Sequence, residues 1–202
     1  MKLFIKPGSC SLASHIILRE LGMPFETEVV DTKAGKTASG NDYAAINPKG
    51  YVPALQLGDG TVLTEGPAIM QYLVDQQPGS TLAPANGTLQ RYQVQAWLNF
   101  IGSEVHKNFS PFFKPTSTPE WKEACRANLE RRYAYINDCL QDTPYLMGDQ
   151  FTIADAYLFV VTNWAAIVKF DMSPYANVLA FQERVRARPT VQAAMKAEGL
   201  KV

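Results

Sequence analysis

Residues 47–73, NPKGYVPALQLGDGTVLTEGPAIMQYL, carry two short strand patterns followed by a helical one. The strand patterns cover 52–57 and 61–64 and meet at Gly58-Asp59-Gly60. An Asp-Gly between alternating apolar runs predicts a hairpin. Helical spacing starts at Ala68 and continues through Ile69, Tyr72 and Leu73. Proline cannot donate to a ladder, so Pro53 belongs at a strand start or edge, which leaves the Val52 N–H and C=O open to a peptide-like ligand. Glu65-Gly66-Pro67 closes the hairpin and opens the helix, with Pro67 at a first helical position. Free amides at that helix start favour a carboxylate, and Glu65 beside them suits an ammonium. One end of the segment fits an extended backbone and the other an amino-acid zwitterion. A small peptide satisfies both.

Upstream, residues 2–6 read as a strand, Pro7-Gly8-Ser9 as a turn, and Leu12, Ile16, Ile17 and Leu21 as the apolar face of a helix that stops at Gly22. A second strand pattern covers 25–31, a polar glycine-bearing loop covers 32–42, and a short helical piece precedes Pro48. The order β-α-β-(α)-β-β-α predicts a mixed four-stranded α/β layer whose first two strands are joined by a right-handed crossover. Pro78-Gly79-Ser80-Thr81 and Pro84-Ala85-Asn86-Gly87 break the pattern, giving a first domain over 1–78, a linker over 79–86 and a second domain over 87–202. That second domain reads as all-helical, with helices over 89–109, 118–140, 152–168, 174–187 and 190–198.

The totals exclude several classes. A formal net charge of +0 gives no reason to expect nucleic acid or an anionic membrane as partner. No apolar run approaches the roughly 18 residues of a membrane span. The opening MKLFIKPGSCS lacks the apolar core of a secretory signal, so a cytoplasmic protein is expected. Three cysteines, an odd number, argue against a disulfide framework. Cys125 and Cys139 share a helical stripe about 21 Å apart, too far to bridge, and read as buried small hydrophobes.

Cys10 differs, because it falls between a strand–turn and a helix start. The helix dipole and backbone amides there stabilise a thiolate. A thiol with pKa ~8.5 is about 3% ionised at pH 7, against roughly three quarters at ~6.5. The competing reading is a small residue packed at a helix start. Position 13 is Ala13, so no C-x-x-C dithiol exists, and a reacting Cys10 needs an external thiol for its second sulfur. His106 lies beside the apolar stripe of its helix, in a polar line with Asn99 and Ser103 that is either a solvated face or the wall of a cleft. Lys107 keeps those surroundings positive. His15 reads as partly exposed and structural, and two histidines with one cysteine do not make a metal site. Thr152 and Asp155 stand in capping-box spacing and read as structural.

Taken in order, PGSCSLASHIILRE, NPKGYVPAL, TEGPAIMQYL, the helix bearing Asn99 to Lys107, and FTIADAYLF resemble the cytosolic glutathione transferases, most of all their bacterial beta class. The likeness spans essentially the whole chain. It implies a thioredoxin-like N-terminal domain with Pro53 in cis, an all-helical second domain, a homodimer, and glutathione as co-substrate with no metal. The Val52 backbone would then pair with the cysteinyl part of glutathione, with Glu65 and Gly66 on its γ-glutamyl end. Cys10 would lie beside the ligand sulfur, able to form a mixed disulfide with it, and Cys10, Ser11 and His106 are the candidates to steady a thiolate. His106 and Lys107 match positions lining the same cleft, and Asn99, Ser103 and Glu104 match a region that touches glutathione, partly across the dimer interface.

The sequence departs from that pattern in three places. Gly66 stands where many relatives have serine, Phe4-Ile5 replaces a strand-end tyrosine, and Gly35 stands between Lys33 and Lys36 where some relatives direct a lysine at the glycyl carboxylate. The resemblance implies an enzyme that activates the glutathione thiol for conjugation to small hydrophobic electrophiles, for thiol–disulfide exchange through Cys10, or for both. The helical domain would supply the electrophile site, near Phe109, Phe112, Phe113 and Trp164. The alternative is a non-catalytic interaction module that kept the fold.

Overall fold

The computed structural model describes residues 1–202, and its sheet is built from β1 (Lys2–Ile5), β2 (Glu26–Asp31), β3 (Lys36–Thr37), β4 (Ala54–Gln56) and β5 (Val62–Thr64). Its helices are α1 (Ser11–Glu20), α2 (Gly66–Asp75), α3 (Leu89–Phe100), α4 (Lys107–Phe109), α5 (Pro119–Cys139), α6 (Ile153–Ile167), α7 (Ala176–Arg186) and α8 (Pro189–Ala197). The chain divides into two compact units, Met1–Ser80 with Arg186–Val202, and Thr81–Val185. No helix is long and apolar enough to cross a membrane.

In the first unit the strand order is β3-β2-β1-β4-β5, with β1 and β2 parallel and every other pair antiparallel. The sheet thus has five strands, not the four that the sequence pattern predicts. The addition, β3, is two residues long, too short to show a period-2 pattern, and lies within the polar loop. Gly35, at φ +68°, turns the chain back so that its N–H reaches the Asp31 carbonyl at 2.8 Å. Alternation along the strands splits the apolar residues between two faces. Phe4, Val30 and Ala54 pack with Tyr43 and Val52 on one side, while Leu3, Ile5 and Leu55 are buried with the apolar residues of α1 and α2 on the other.

The last helix, α8, also belongs to this unit and packs on α1. Arg188 holds Glu20 through two hydrogen bonds, at 2.8 and 2.9 Å. Burial alone would raise the Glu20 pKa, but the bonds from Arg188 and Thr190 outweigh it and hold the carboxyl below its usual range. Glu198, just past α8, accepts the Gly8 N–H at 2.9 Å and bonds His15 Nδ1 at 2.9 Å. Arg19 Nε donates to His15 Nε2 at 3.0 Å. A guanidinium can only donate, so Nε2 carries the lone pair and Nδ1 the proton given to Glu198. His15 is therefore wholly buried, not partly exposed, and its role is structural.

In the second unit, α3 starts at a Thr88 cap and α5 at a Thr118 cap followed by Pro119. Val94, Leu98, Ile101, Val105 and Phe109 form a buried stripe, whose α3 part packs on α6 and whose later part packs on α5, where Leu129, Tyr133 and Ile136 are buried. Between α3 and α4, residues Ile101–His106 form a π-helical segment. α6 is buried nearly all round, as befits a central helix. Its capping box is complete: Thr152 accepts the Ala154 N–H, and Asp155 accepts the Thr152 N–H and hydroxyl, each at 2.8 Å, and the Leu146 N–H at 2.8 Å. Cys125 is buried as expected, whereas Cys139 is only half-buried.

Candidate functional site

Cys10 is the residue on which α1 begins, and the turn beneath it is pinned locally. Ser9 N–H bonds the Lys6 carbonyl at 3.0 Å. The buried Ser11 hydroxyl accepts the Lys6 N–H at 3.1 Å, donates to the Lys6 carbonyl at 3.3 Å and stands 2.9 Å from the Ser9 hydroxyl. Ser11 thus spends its side chain on the turn. Two amides of the first turn are also taken, since Leu12 N–H bonds Ser9 and Ala13 N–H bonds Cys10 itself. The thiol stands at the positive end of the α1 dipole.

The Cys10 thiol donates to the Val52 carbonyl at 3.3 Å. β4 starts only at Ala54, so Val52 and Pro53 lie beyond the ladder, and the Val52-Pro53 peptide is cis. Tyr43 and Asn47 fix the preceding carbonyl: the Tyr43 hydroxyl and Asn47 Nδ2 both donate to Tyr51 O, at 2.8 and 2.6 Å. The Val52 N–H has no acceptor in the chain. A backbone edge and a thiol are therefore held side by side, in the place the sequence assigned to a peptide.

Glu65 follows β5 and precedes α2 with φ 71° and ψ 111°, one of two non-glycine residues at positive φ. Such a conformation costs about 1–3 kcal/mol and persists where surroundings enforce it. Here Pro67 follows in the first turn and Lys49 reaches across, its Nζ 2.7 Å from Glu65 Oε1 and 3.1 Å from the Thr64 hydroxyl. Both side chains of that ion pair are more than half exposed, 51% and 63%, so its own worth is about 0–1 kcal/mol. The Gly66 N–H points from the helix start with no partner in the chain. A Cβ at Gly66 would meet Pro53 Cγ at 3.6 Å and the buried, unpartnered Ser14 hydroxyl at 4.0 Å, both ordinary contacts.

In the second unit, the π-helical segment breaks the regular spacing on which the polar line through Asn99, Ser103 and His106 depends. Asn99 and Ser103 are exposed, and the Ser103 hydroxyl donates to the Asn99 carbonyl at 3.0 Å. Glu104 is bound by Arg132 at 2.7 Å, and Lys107 is exposed. His106 turns instead toward α6: its Nδ1 lies 2.7 Å from the Tyr157 hydroxyl and its ring meets Trp164 edge-on at 4.7 Å. Burial, then the neighbouring Lys107 charge, pushes His106 down to about 4. Among the expected electrophile residues, Phe109 is fully buried core, whereas Phe113 is 48% exposed against Trp164. Arg126 lies over the Phe112 ring. No group of three or more His, Cys, Asp or Glu could hold a metal ion.

Sequence reasoning missed two partners. Lys49 looks like any loop lysine until the hairpin closes beside it. Tyr157 lies in a quoted motif, FTIADAYLF, but nothing local ties it to a histidine 51 positions earlier. Lys33 and Lys36, the lysines considered for a ligand carboxylate, sit at the Asp31 turn, where the Lys33 N–H bonds Asp31 Oδ1 and Lys36 pairs with Asp31 in the ladder.

Comparisons with known proteins place this geometry. Residues 8–76 match the family model described as glutathione S-transferase, N-terminal domain, and residues 100–189 match glutathione S-transferase, C-terminal domain. The chain is 52% identical over 202 residues to glutathione S-transferase GstA of Escherichia coli O157:H7, covering 100% of both chains. It superimposes with TM-score 0.96 on a bacterial beta class glutathione S-transferase of Sphingomonas chungbukensis, at 47% identity and covering 100% of each chain. A sphingomonad glutathione S-transferase complexed with glutathione gives TM-score 0.95 at 46% identity, again over 100% of each chain.

Proposed function

The chain belongs to the glutathione S-transferase family, and from that premise we propose that it binds glutathione along Val52 and activates the ligand's thiol. The observation that carries the proposal is the Cys10 thiol at 3.3 Å from the Val52 carbonyl, on a backbone edge outside the ladder. An extended ligand backbone pairing with Val52 and packed on Pro53 brings its cysteinyl sulfur beside Cys10. The γ-glutamyl ammonium falls to Glu65 and its carboxylate to the Gly66 N–H. The ligand's amide N–H also competes with the Cys10 thiol for the Val52 carbonyl. A hydrogen bond given by a thiol favours the neutral form, so loosening it favours the thiolate.

Two reactions follow. In conjugation, the glutathione thiolate attacks an electrophilic carbon, the carbon–sulfur bond forms, and the leaving group departs with its electron pair. In exchange, the Cys10 thiolate attacks a glutathione mixed disulfide and expels the other thiolate. A second glutathione thiolate then attacks Cys10–S–S–glutathione, releasing glutathione disulfide and the Cys10 thiolate. We assign Asn99, Ser103, Glu104, His106 and Lys107 to ligand handling, as the resemblance implies. His106, with its pKa pushed down to about 4, is a poor base for a thiol. Its Nδ1 is engaged with the Tyr157 hydroxyl at 2.7 Å. Ser11 contributes by holding the turn under Cys10.

The naming of the full-length relatives as transferases favours an enzyme over a non-catalytic module. We further propose a cytoplasmic homodimer acting on small hydrophobic electrophiles. Sedimentation of the purified chain tests the dimer. Cys10→Ala tests the chemistry: conjugation of a generic aromatic electrophile persists while disulfide reduction is abolished. Equal retention of both activities would remove Cys10 from catalysis. Mass spectrometry of the protein as purified should find a glutathione adduct on Cys10.

A further inference from the structure

We propose that Lys49 is itself a ligand-binding residue, its ammonium holding the α-carboxylate of the γ-glutamyl end while Glu65 holds the α-ammonium. The proposal rests on the glutathione reading above and goes beyond it by naming a residue and a mode of zwitterion recognition. The Lys49 ammonium has three N–H donors, of which two are used, on Glu65 Oε1 at 2.7 Å and on the Thr64 hydroxyl at 3.1 Å. The third has no acceptor in the chain, and neither has Glu65 any protein donor on Oε2. The pair thus keeps one open donor and one open acceptor.

Those open positions match an amino-acid head group. In such a group the ammonium and the carboxylate hang on one carbon, a few ångströms apart, as are the charges of the Lys49–Glu65 pair. Docked head to tail, the four charges alternate in sign around a ring, and every close contact is attractive. The exposure of the pair makes its partial opening inexpensive, because water and salt already screen it. Its position is nevertheless fixed. Asn47 is buried, accepts the Lys49 N–H at 3.2 Å through its side chain and the Gly50 N–H at 2.9 Å through its carbonyl, and holds Tyr51 O. Lys49 therefore stands on the same braced turn that presents Val52, three residues on, to the ligand backbone.

Two other roles for Lys49 make different predictions. If it only braces the positive-φ corner at Glu65, its loss weakens every ligand alike and lowers stability. If it only competes with the ligand ammonium for Glu65, its loss tightens binding.

The test is calorimetric titration of Lys49→Met and Lys49→Arg with three peptides: glutathione, 4-aminobutanoyl-Cys-Gly, which lacks the α-carboxylate, and glutaryl-Cys-Gly, which lacks the α-ammonium. Lys49→Met should bind glutathione and the glutaryl peptide about tenfold more weakly. It should bind the 4-aminobutanoyl peptide as the unaltered protein does, with an unchanged melting temperature. Lys49→Arg should recover part of the loss. Equal weakening of all three peptides, no weakening of any, or tighter glutathione binding overturns the proposal. Failure of the unaltered, folded protein to bind glutathione is a separate result, which overturns the underlying reading and this proposal with it.

Discussion

His106 Nδ1 stands 2.7 Å from the Tyr157 hydroxyl, and that contact is made inside a ring cluster that includes Trp164. Burial pushes His106 down to about 4, whereas an unfolded chain takes up the same proton near ~6.5. Between those values the unfolded state binds more protons, so stability falls as pH is lowered through that window. The contribution at neutral pH is up to about 3 kcal/mol. Urea unfolding between pH 4 and 7 should show a flatter profile for His106→Gln than for the unaltered protein. Parallel profiles would refute it.

Asp155 acts with the opposite sign. Burial raises its carboxyl to about 6 against the hydrogen bonds from Leu146 and Thr152. The folded state therefore takes up this proton first, and as pH falls from about 6 toward the unfolded value of ~3.9 the term adds stability. It partly cancels the His106 slope, so the two must be separated by variants. Asp155→Asn should steepen the loss of stability on acidification. Asp155→Ala, which strands three donors at a buried helix start, should cost about 2–4 kcal/mol in urea unfolding at pH 7.

Glu198 is bound by one amide from the Cys10 turn and one ring nitrogen from α1. In Glu198→Gln one of the two must face an N–H instead of an oxygen. We expect a loss of about 1–3 kcal/mol and a change in the alkylation rate of Cys10 by iodoacetamide, read by intact-mass spectrometry. A variant as stable as its parent would show that the network carries no weight.

Gly66 has room for a side chain and an ordinary φ. Gly66→Ser should leave the fold intact and raise stability by about 0.5 kcal/mol through the unfolded chain. It should also lower the KM for glutathione by placing a hydroxyl beside the Gly66 N–H. A fall in melting temperature would mean that the corner between Pro53 and Ser14 is tighter than its distances indicate.

Much of this was legible because the signals are local. Gly58-Asp59-Gly60 gives the hairpin, Thr152 with Asp155 gives the start of α6, and Pro53 marks where the ladder begins. What escaped is non-local or too short. β3 is two residues long. His15 reads as partly exposed because the carboxylate that buries it lies 183 positions later in the chain. The π-helical segment at Ile101–His106 has no compositional mark, yet it changes which way His106 faces. Ser11, a candidate through the resemblance alone, also bonds the Lys6 backbone with its hydroxyl, a contact that no sequence pattern announces.

α8 comes from the far end of the polypeptide yet completes the unit that begins it. A ribosome delivers the chain from its N-terminus, so the turn under Cys10 waits for nearly the whole protein before Glu198 arrives to receive its Gly8 amide. Until then the thiol sits on a half-built support. A nascent or clipped chain without α8 and Glu198 would keep every residue of the sheet yet leave the Gly8 amide and His15 Nδ1 without their shared acceptor.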